Sequence, residues 1–389
     1  MKSLGDLELR GKRVFIRVDF NVPLAGGRVT DRTRIEETIP TVRLACEAGA
    51  RVLCASHLGK PKGKVEPELS LAPVAAAFAE TLGRAVRFVE ECVGPEAEEA
   101  ARSLEPGEVL LLENLRFHPG EESNDPEFAK ALAALADCYG DDAFGAAHRA
   151  HASVVGVPAL VAEKAAGLLL EKEVRELSRL LDPERPFAAV LGGAKISGKI
   201  EALEALVRRA DILLIGGGMA NHFVRALGLP VGRSLLEEDK VAVAREILDL
   251  CKKEGKTIAL PSDFVVAQSP EDAKGARTVG IAKIPQDAMA LDVGQKTLEQ
   301  FERLLAPAKT IFWNGPMGVF ERPPFDRGTK ALAMLLAESG AVTVVGGGES
   351  VAAVKGAGVA DRFTHVSTGG GASLEFIAKG TLPGIEALR

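Results

Sequence analysis

Short runs of Val, Ile and Leu alternate with longer stretches of helical periodicity along the whole chain. In the first half the runs fall at 13–20 (RVFIRVDF), 51–56, 86–89, 108–115 and the end of 137–144. In the second half they fall at 187–193, 211–218, 257–264, 289–294, 310–316, 342–348 and 363–371. Helical patterns such as SLAPVAAAFAETLG and DKVAVAREILDLCKKEG lie between them. Strands that are apolar on both faces, separated by helices, predict parallel sheets covered on both sides. The predicted class is α/β, with two doubly wound parallel-sheet (Rossmann-like) domains. An uninterrupted helical pattern at 166–182, stopped by Pro183 and Pro186, reads as the link between them. The pattern fits a sheet-covering helix nearly as well.

Length and charge narrow the picture. A chain of 389 residues with 47% apolar content exceeds what one core usually holds, so two domains are expected. A net charge of −6 argues against a nucleic-acid partner, which would need a basic face, yet leaves room for a local basic pocket. Residues 1–10 are too polar for a signal peptide, and no apolar run reaches the ~18–20 residues of a membrane span. A cytoplasmic protein is expected. The five cysteines form no C-x-x-C pair and are odd in number, which favours small buried hydrophobes over disulfides or a zinc site.

Polar and glycine residues follow the apolar runs rather than precede them. Ligands of open parallel sheets bind beyond the carboxyl ends of the strands, so the chemistry is expected on two strand-end rims. In the second half, Gly346, Gly347 and Gly348 leave backbone N–H groups uncovered before a helical stretch, and Gly369 to Gly371 repeat the device. Helix N-termini of this kind attract anions. Glu349 either ligates magnesium or caps the helix, and Lys195 and Lys199 offer charge to phosphates. GAKISGK (193–199) has P-loop spacing, but Ile200 stands where Ser or Thr would hold magnesium, and no G-x-G-x-x-G occurs. Several glycine-rich strand ends together point to a nucleotide polyphosphate.

The first-half rim differs. Asp19 and Asn21 follow the first run, then Arg32 and Arg34; later strand ends carry His57 and Lys60, Arg116 and His118, and His148, Arg149 and His151. The H-x-x-H at 148–151 lacks a third ligand at defined spacing, and no G-x-S-x-G elbow is present. Alternating Arg and His suit a small, multiply anionic molecule.

The segments RVDFNVP, SHLGKP, LLENLRFHPGEE, DAFGAAHRAHAS, LGGAKISGKI, GGGMAN, LPSDFVVA, WNGPMGVFE, GGGES and STGGGASLEF resemble the phosphoglycerate kinase family from end to end. The resemblance implies a 3-phosphoglycerate-binding domain at 1–168 joined by 376–389, an interdomain helix at 169–184, and a nucleotide-binding domain at 185–375. It implies that Asp19, Asn21, Arg34, His57, Leu58, Gly59, Lys60, Arg116 and Arg149 hold 3-phosphoglycerate or 1,3-bisphosphoglycerate. Lys195, Lys199, Gly217, Gly218, Asn314, Glu321, Gly346, Gly347, Gly348, Glu349 and Ser350 would hold ATP or ADP, with Glu349 as the Mg2+ ligand. Arg34, Lys199, Gly347 and Gly370 would serve the in-line transfer step of this glycolytic reaction, in a monomer whose hinge closes the cleft. Membrane and nucleic-acid partners are not implied. A non-catalytic nucleotide- or anion-binding protein on the same fold is the competing expectation.

Some positions depart from the family pattern. Glu349 replaces Asp and is one methylene longer. Lys60 replaces the usual Arg, Ala146 replaces Thr, GDDAFG replaces VNDAFG, and Gln295 replaces Pro. No charged residue assigned to the phosphoglycerate is removed by them.

Overall fold

A computed structural model describes all residues, 1–389. The chain divides into two compact units, Met1–Arg175 with Thr381–Arg389, and Glu176–Gly380.

The first unit is built on a six-stranded sheet: β1 (Arg13–Arg17), β2 (Arg51–Ala55), β3 (Val86–Val89), β4 (Val109–Leu112), β5 (Cys138–Asp141) and β6 (Glu163–Ala166). Its order is β3-β4-β2-β1-β5-β6, and every pairing is parallel. Val14 and Ile16 of β1 enter one core with Val52, Cys54, Ile35, Val42 and Phe78. Phe15, between them, is also fully buried and stacks on Tyr139 of β5 at 6.0 Å. Burial on both faces explains the near-continuous apolar run, because alternate side chains point to opposite sides of a strand. The chain moves from β1 outward through β2, then returns to the other flank of β1 with β5. That reversal opens a crevice at the carboxyl end of β1.

The second unit repeats the plan with β7 (Phe187–Leu191), β8 (Ile212–Ile215), β9 (Thr257–Ala259), β10 (Asp263–Ala267), β11 (Arg277–Gly280), β12 (Met289–Val293), β13 (Thr310–Asn314), β14 (Val342–Gly346) and β15 (His365–Val366). The parallel sheet runs β9-β8-β7-β13-β14-β15, with its reversal between β7 and β13. Its core gathers Val190, Leu214, Phe301, Trp313 and Val345. The buried Trp313 indole donates to the Gly315 carbonyl at 2.8 Å, so its N–H is not left unpaired.

Three expected elements differ. The run at 257–264 divides at Pro261: β9 stays in the parallel sheet, while β10 joins β11 and β12 in a separate antiparallel sheet. Proline has no N–H for the ladder, and Thr297 Oγ1 takes the Ser262 and Asp263 N–H groups at 3.1 and 3.2 Å. The apolar run at 289–294 is thus antiparallel β12 rather than a parallel strand. The helical pattern at 166–182 forms a helix only at Leu168–Ser178. Ala165 and Ala166 pair instead with β5, and buried Asp142 Oδ1 accepts from the Leu169 and Leu170 N–H groups, fixing the start. After Ser178 the bonds shorten to Leu180 N to Leu177 O and Leu181 N to Ser178 O, a tight turn ahead of Pro183.

Candidate active site

In the first unit, β1 delivers Asp19 and Asn21 to the crevice, and β2 delivers His57. Asp19 Oδ2 accepts from Arg34 Nη1 at 2.6 Å, from the first turn of the helix Thr33–Glu47. Asn21 Oδ1 accepts the Gly59 N–H at 2.9 Å, while Arg116 donates to the Gly59 carbonyl at 2.7 Å. The Leu58 N–H is held by buried Asn114 at 3.1 Å. The 57–59 loop is therefore clamped from three directions, and its chain bends through φ +63° at Gly59. Arg116 is itself buried, 3% exposed, with its Nε 3.2 Å from Glu122.

Beneath this network lies a group the sequence reading passed over. Arg17, the last residue of β1, is fully buried and donates to His57 Nδ1 at 3.0 Å and to Ser153 Oγ at 2.8 Å, as well as to the Val18 carbonyl. A guanidinium can only donate, so His57 Nδ1 accepts and the neutral ring carries its proton on Nε2. Burial, then the charges of Arg17, Arg116 and Arg34, holds the His57 pKa well below its ordinary value. His57 is a neutral donor among cations. Ser153 passes the Arg17 charge to buried Glu121, donating from Oγ at 2.6 Å and from its N–H at 2.9 Å. His151 lies 3.8 Å from Glu121, and burial with Arg116, Arg17 and Arg149 nearby lowers its pKa to about 3. The signal for Arg17 was a charged residue inside an otherwise apolar strand.

The structure thus brings Asp19, Asn21, Arg34, His57, Leu58, Gly59 and Arg116 into one bonded cluster, with Arg149 close enough to influence Arg116 and His151. Lys60 is exposed and outside these contacts. His118 turns away as well: its Nε2 lies 2.6 Å from Glu91, and its ring stacks on Phe128.

In the second unit, the reversal between β7 and β13 places Gly192 and Gly193 beside Asn314 and Gly315. Lys199 Nζ donates to the Gly192 carbonyl at 2.7 Å. Its stem is half-buried, but the ammonium is drawn inward, and burial lowers its pKa to about 8 against the opposing pull of Glu349. Asn314, buried, donates to the Gly346 carbonyl at 2.9 Å. Buried Ser350 accepts the Gly315 N–H, so its oxygen shapes the loop. Gly347 adopts φ +91°, and a Cβ there would stand 2.7 Å from Asn314 Nδ2. The helices Gly348–Gly356 and Gly371–Lys379 start just beyond Gly347 and Gly370, presenting their first-turn N–H groups. Glu349 and Lys195 are exposed.

Next to these loops is a cavity of about 320 Å3, lined by Gly217, Gly218, Leu235, Phe264, Met317 and Glu321 among others. A side chain at Gly217 would meet the Pro316 carbonyl at 2.6 Å, so glycine lets the backbone form the wall. The slot is mostly apolar, as a flat heterocycle requires. Asp292 also lines it and escaped the sequence reading. Its carboxylate accepts from Gly328 N at 2.7 Å and Val293 N at 2.9 Å, while burial raises its pKa to about 7.

A rim of guanidinium groups suits a small acid of high negative charge; a polyphosphate rim beside an apolar slot suits a nucleotide. A protein that binds both is equipped for phosphoryl transfer. Comparison with known proteins identifies the family. The model of the family described as phosphoglycerate kinase matches residues 4–379. A phosphoglycerate kinase of Moorella thermoacetica is 54% identical over 387 residues, 99% of this chain and 98% of that one. One of Thermomicrobium roseum is 54% identical over 389 residues, 100% of this chain and 99% of that one. Among solved structures, the phosphoglycerate kinase of Coxiella burnetii superposes with a TM-score of 0.88 at 41% identity, covering 99% of this chain and 98% of that chain. The Pyrococcus horikoshii enzyme gives 0.89 at 35% identity, covering 100% and 98%. The chain belongs to the phosphoglycerate kinase family, and is a phosphotransferase with a carboxyl acceptor working in glycolysis.

Proposed function

We propose that this chain transfers a phosphoryl group directly and reversibly between 1,3-bisphosphoglycerate with ADP and 3-phosphoglycerate with ATP. The Met1–Arg175 unit, with Thr381–Arg389, holds the glycerate substrate, and the Glu176–Gly380 unit holds the nucleotide. The observation that carries the reading is the set of three arginines, Arg17, Arg34 and Arg116, around a neutral His57, with Arg149 beside Arg116. Such a cluster answers the charge of a phosphorylated carboxylate.

The acceptor carboxylate of 3-phosphoglycerate is ionised at neutral pH and needs no base. Catalysis then consists of alignment and of neutralising charge on the moving group. Arg34 is set to act there: Asp19 orients one side of its fork and leaves the other nitrogens for phosphate. Lys199 and the N–H groups at Gly347 and Gly370 face the nucleotide phosphates. Asp19 and Asn21, with His57 Nε2–H, Leu58, Gly59, Lys60, Arg116 and Arg149, hold the glycerate. Gly217 and Gly218 flank the base, Glu321 takes the ribose, and Asn314, Gly346, Gly348, Ser350 and Lys195 complete the phosphate end.

The residues present fit magnesium. Glu349 is an exposed hard oxygen donor whose charge is felt by Lys199, and Mg2+ characteristically binds one or two carboxylates together with substrate phosphates. Bound there with the nucleotide, it would supply charge neutralisation at the phosphates. The helix Leu168–Ser178, in which one unit ends and the other begins, is the proposed hinge for bringing the two substrates together. We also assign the protein to the cytoplasm as a monomer without nucleic-acid or membrane partners; no helix is long and apolar enough to cross a membrane.

The test is ATP consumption with 3-phosphoglycerate, with and without magnesium, while a coupling enzyme removes the acyl phosphate. Turnover that needs all three components is expected. ATP hydrolysis at the same rate without the glycerate would overturn the proposal.

A further inference from the structure

Cys92, Glu91 and His118 meet in the first unit, outside both anion rims. A thiol sulfur, a carboxylate oxygen and an imidazole nitrogen from these residues all lie within 4.8 Å of one another. Glu91 is the centre of the group: Oε1 lies 2.6 Å from His118 Nε2, accepts the Cys92 N–H at 2.8 Å, and the carboxylate also receives the Cys92 thiol. Phe128 stacks on the His118 ring at 5.1 Å and fixes its plane. The loop after β3 provides Glu91 and Cys92, and the loop after β4 provides His118, so adjacent parallel strands set the spacing.

A cavity of about 290 Å3 opens onto this group, lined by Ser70, Glu90, Glu91, Glu113 and His118 among others. Cys92 lies behind that wall, fully buried, where burial and then the charges of Glu91, Glu121 and Glu113 push its pKa well above the ordinary value. The same negative surroundings that oppose a bare thiolate favour a cation beside it.

We propose that Cys92, Glu91 and His118 form a binding site for a zinc-like divalent metal ion. One thiolate, one carboxylate and one neutral imidazole balance the charge of a divalent ion. Sulfur, nitrogen and oxygen are the donor types that zinc takes in four-coordinate sites, and the cavity lined by Glu91 and His118 leaves room for a further ligand. Binding exchanges the Cys92 proton for the metal, forming the metal–sulfur bond and releasing one proton to solvent. The neutral His118 ring donates its single proton from Nε2 to the Glu91 carboxylate. When Nε2 turns to the metal that proton passes through solvent to Nδ1, so the ring stays neutral and the net release remains the one thiol proton. The hard Mg2+ of the kinase reaction, which prefers oxygen ligands, is excluded by the sulfur.

The test is titration of the metal-free full-length protein with Co2+, which reports a thiolate ligand through a sulfur-to-metal charge-transfer band. One equivalent should develop the band, one equivalent of Zn2+ should abolish it, and excess Mg2+ should leave it unchanged. Affinity should rise by about tenfold per pH unit for the one displaced proton. Cys92→Ser should lose the band, and Glu91→Gln and His118→Gln should each weaken Co2+ binding at least tenfold. The two latter residues are partly exposed, so their variants carry the test if Cys92→Ser fails to fold. No band in the folded wild-type protein, a band retained in Cys92→Ser, or unchanged binding in both other variants would overturn the proposal.

Discussion

The two units share one plan, a doubly wound sheet with its reversal beside the first strand, yet their rims work by different means. In the first, charged side chains make the rim, and these are already bonded to one another: Arg34 to Asp19, Arg116 to Gly59, Arg17 to His57. In the second, the backbone makes the rim, with glycines at Gly217 and Gly347 in positive-φ conformations and a single inward lysine. The difference suits the ligands proposed for the two units. A compact acid needs charge from several directions, and buried guanidinium groups hold it only when their own desolvation is offset by partners. A polyphosphate is long and is matched by N–H groups along two helix starts, which requires the chain to come close. A side-chain rim fails by deletion; a backbone rim fails by addition.

The largest expected effect breaks the first rim. Arg34→Ala should lower kcat by about 10²–10³ or more, because it removes charge stabilisation of the transferring group. Coupled turnover assays at saturating substrates check it, and near-wild-type kcat would remove Arg34 from the mechanism. The second rim should break by gaining one methyl. Gly347→Ala forces a side chain into φ +91° and against Asn314. Strain of about 1–3 kcal/mol should weaken nucleotide binding by roughly 10- to 100-fold while 3-phosphoglycerate binding stays unchanged. Calorimetric titration of each ligand separates the two.

A third measurement sharpens the contrast by pH. Lys199 titrates at about 8, below its ordinary 10.5, so in the free protein it loses its proton as pH rises through 8. Nucleotide affinity should fall between pH 7 and 9 by up to about tenfold per unit. Binding of 3-phosphoglycerate should stay nearly flat over that range, since guanidinium groups keep their charge. For stability the sign is opposite: the folded pKa lies below the unfolded one, so the cost of the buried ammonium is present below pH 8 and is relieved as pH climbs toward 10.5.

The smallest effect concerns the buried acids that end β5. Burial raises Asp141 to about 6 and Asp142 to about 7 from 3.8. Their folded pKa values exceed the unfolded ones, so their contribution is most favourable below about pH 4 and is lost as pH rises through 6 and 7. Asp141→Asn should flatten the fall of Tm with rising pH between about 4 and 6. An unchanged slope would show that Asp141 is already ionised in the fold.

Much of this molecule was written in its runs and spacings. Alternating apolar and helical stretches predicted parallel sheets, since strands buried on both faces leave few polar positions. Glycines after strands marked the second rim, because only glycine lets the backbone serve as wall and donor. What local pattern could not carry were choices settled by distant partners. Pro261 sends β10 into an antiparallel sheet, but Thr297, far along the chain, receives the freed N–H groups. EKAA at 163–166 has little strand propensity and is a strand because β5 lies beside it. Asp142 sets the start of the connecting helix from another element.

The sequence alone determined the family, the α/β class and which residue types line each rim, since covalent spacing and hydrophobic periodicity are local properties. Tertiary structure alone decided protonation and pairing. Arg17 became the buried donor that fixes the His57 tautomer, Lys199 moved to about 8, and Cys92 met His118 across a strand pair. Desolvation and charge coupling depend on the distance and burial of groups far apart in the chain, and those exist only once it is folded.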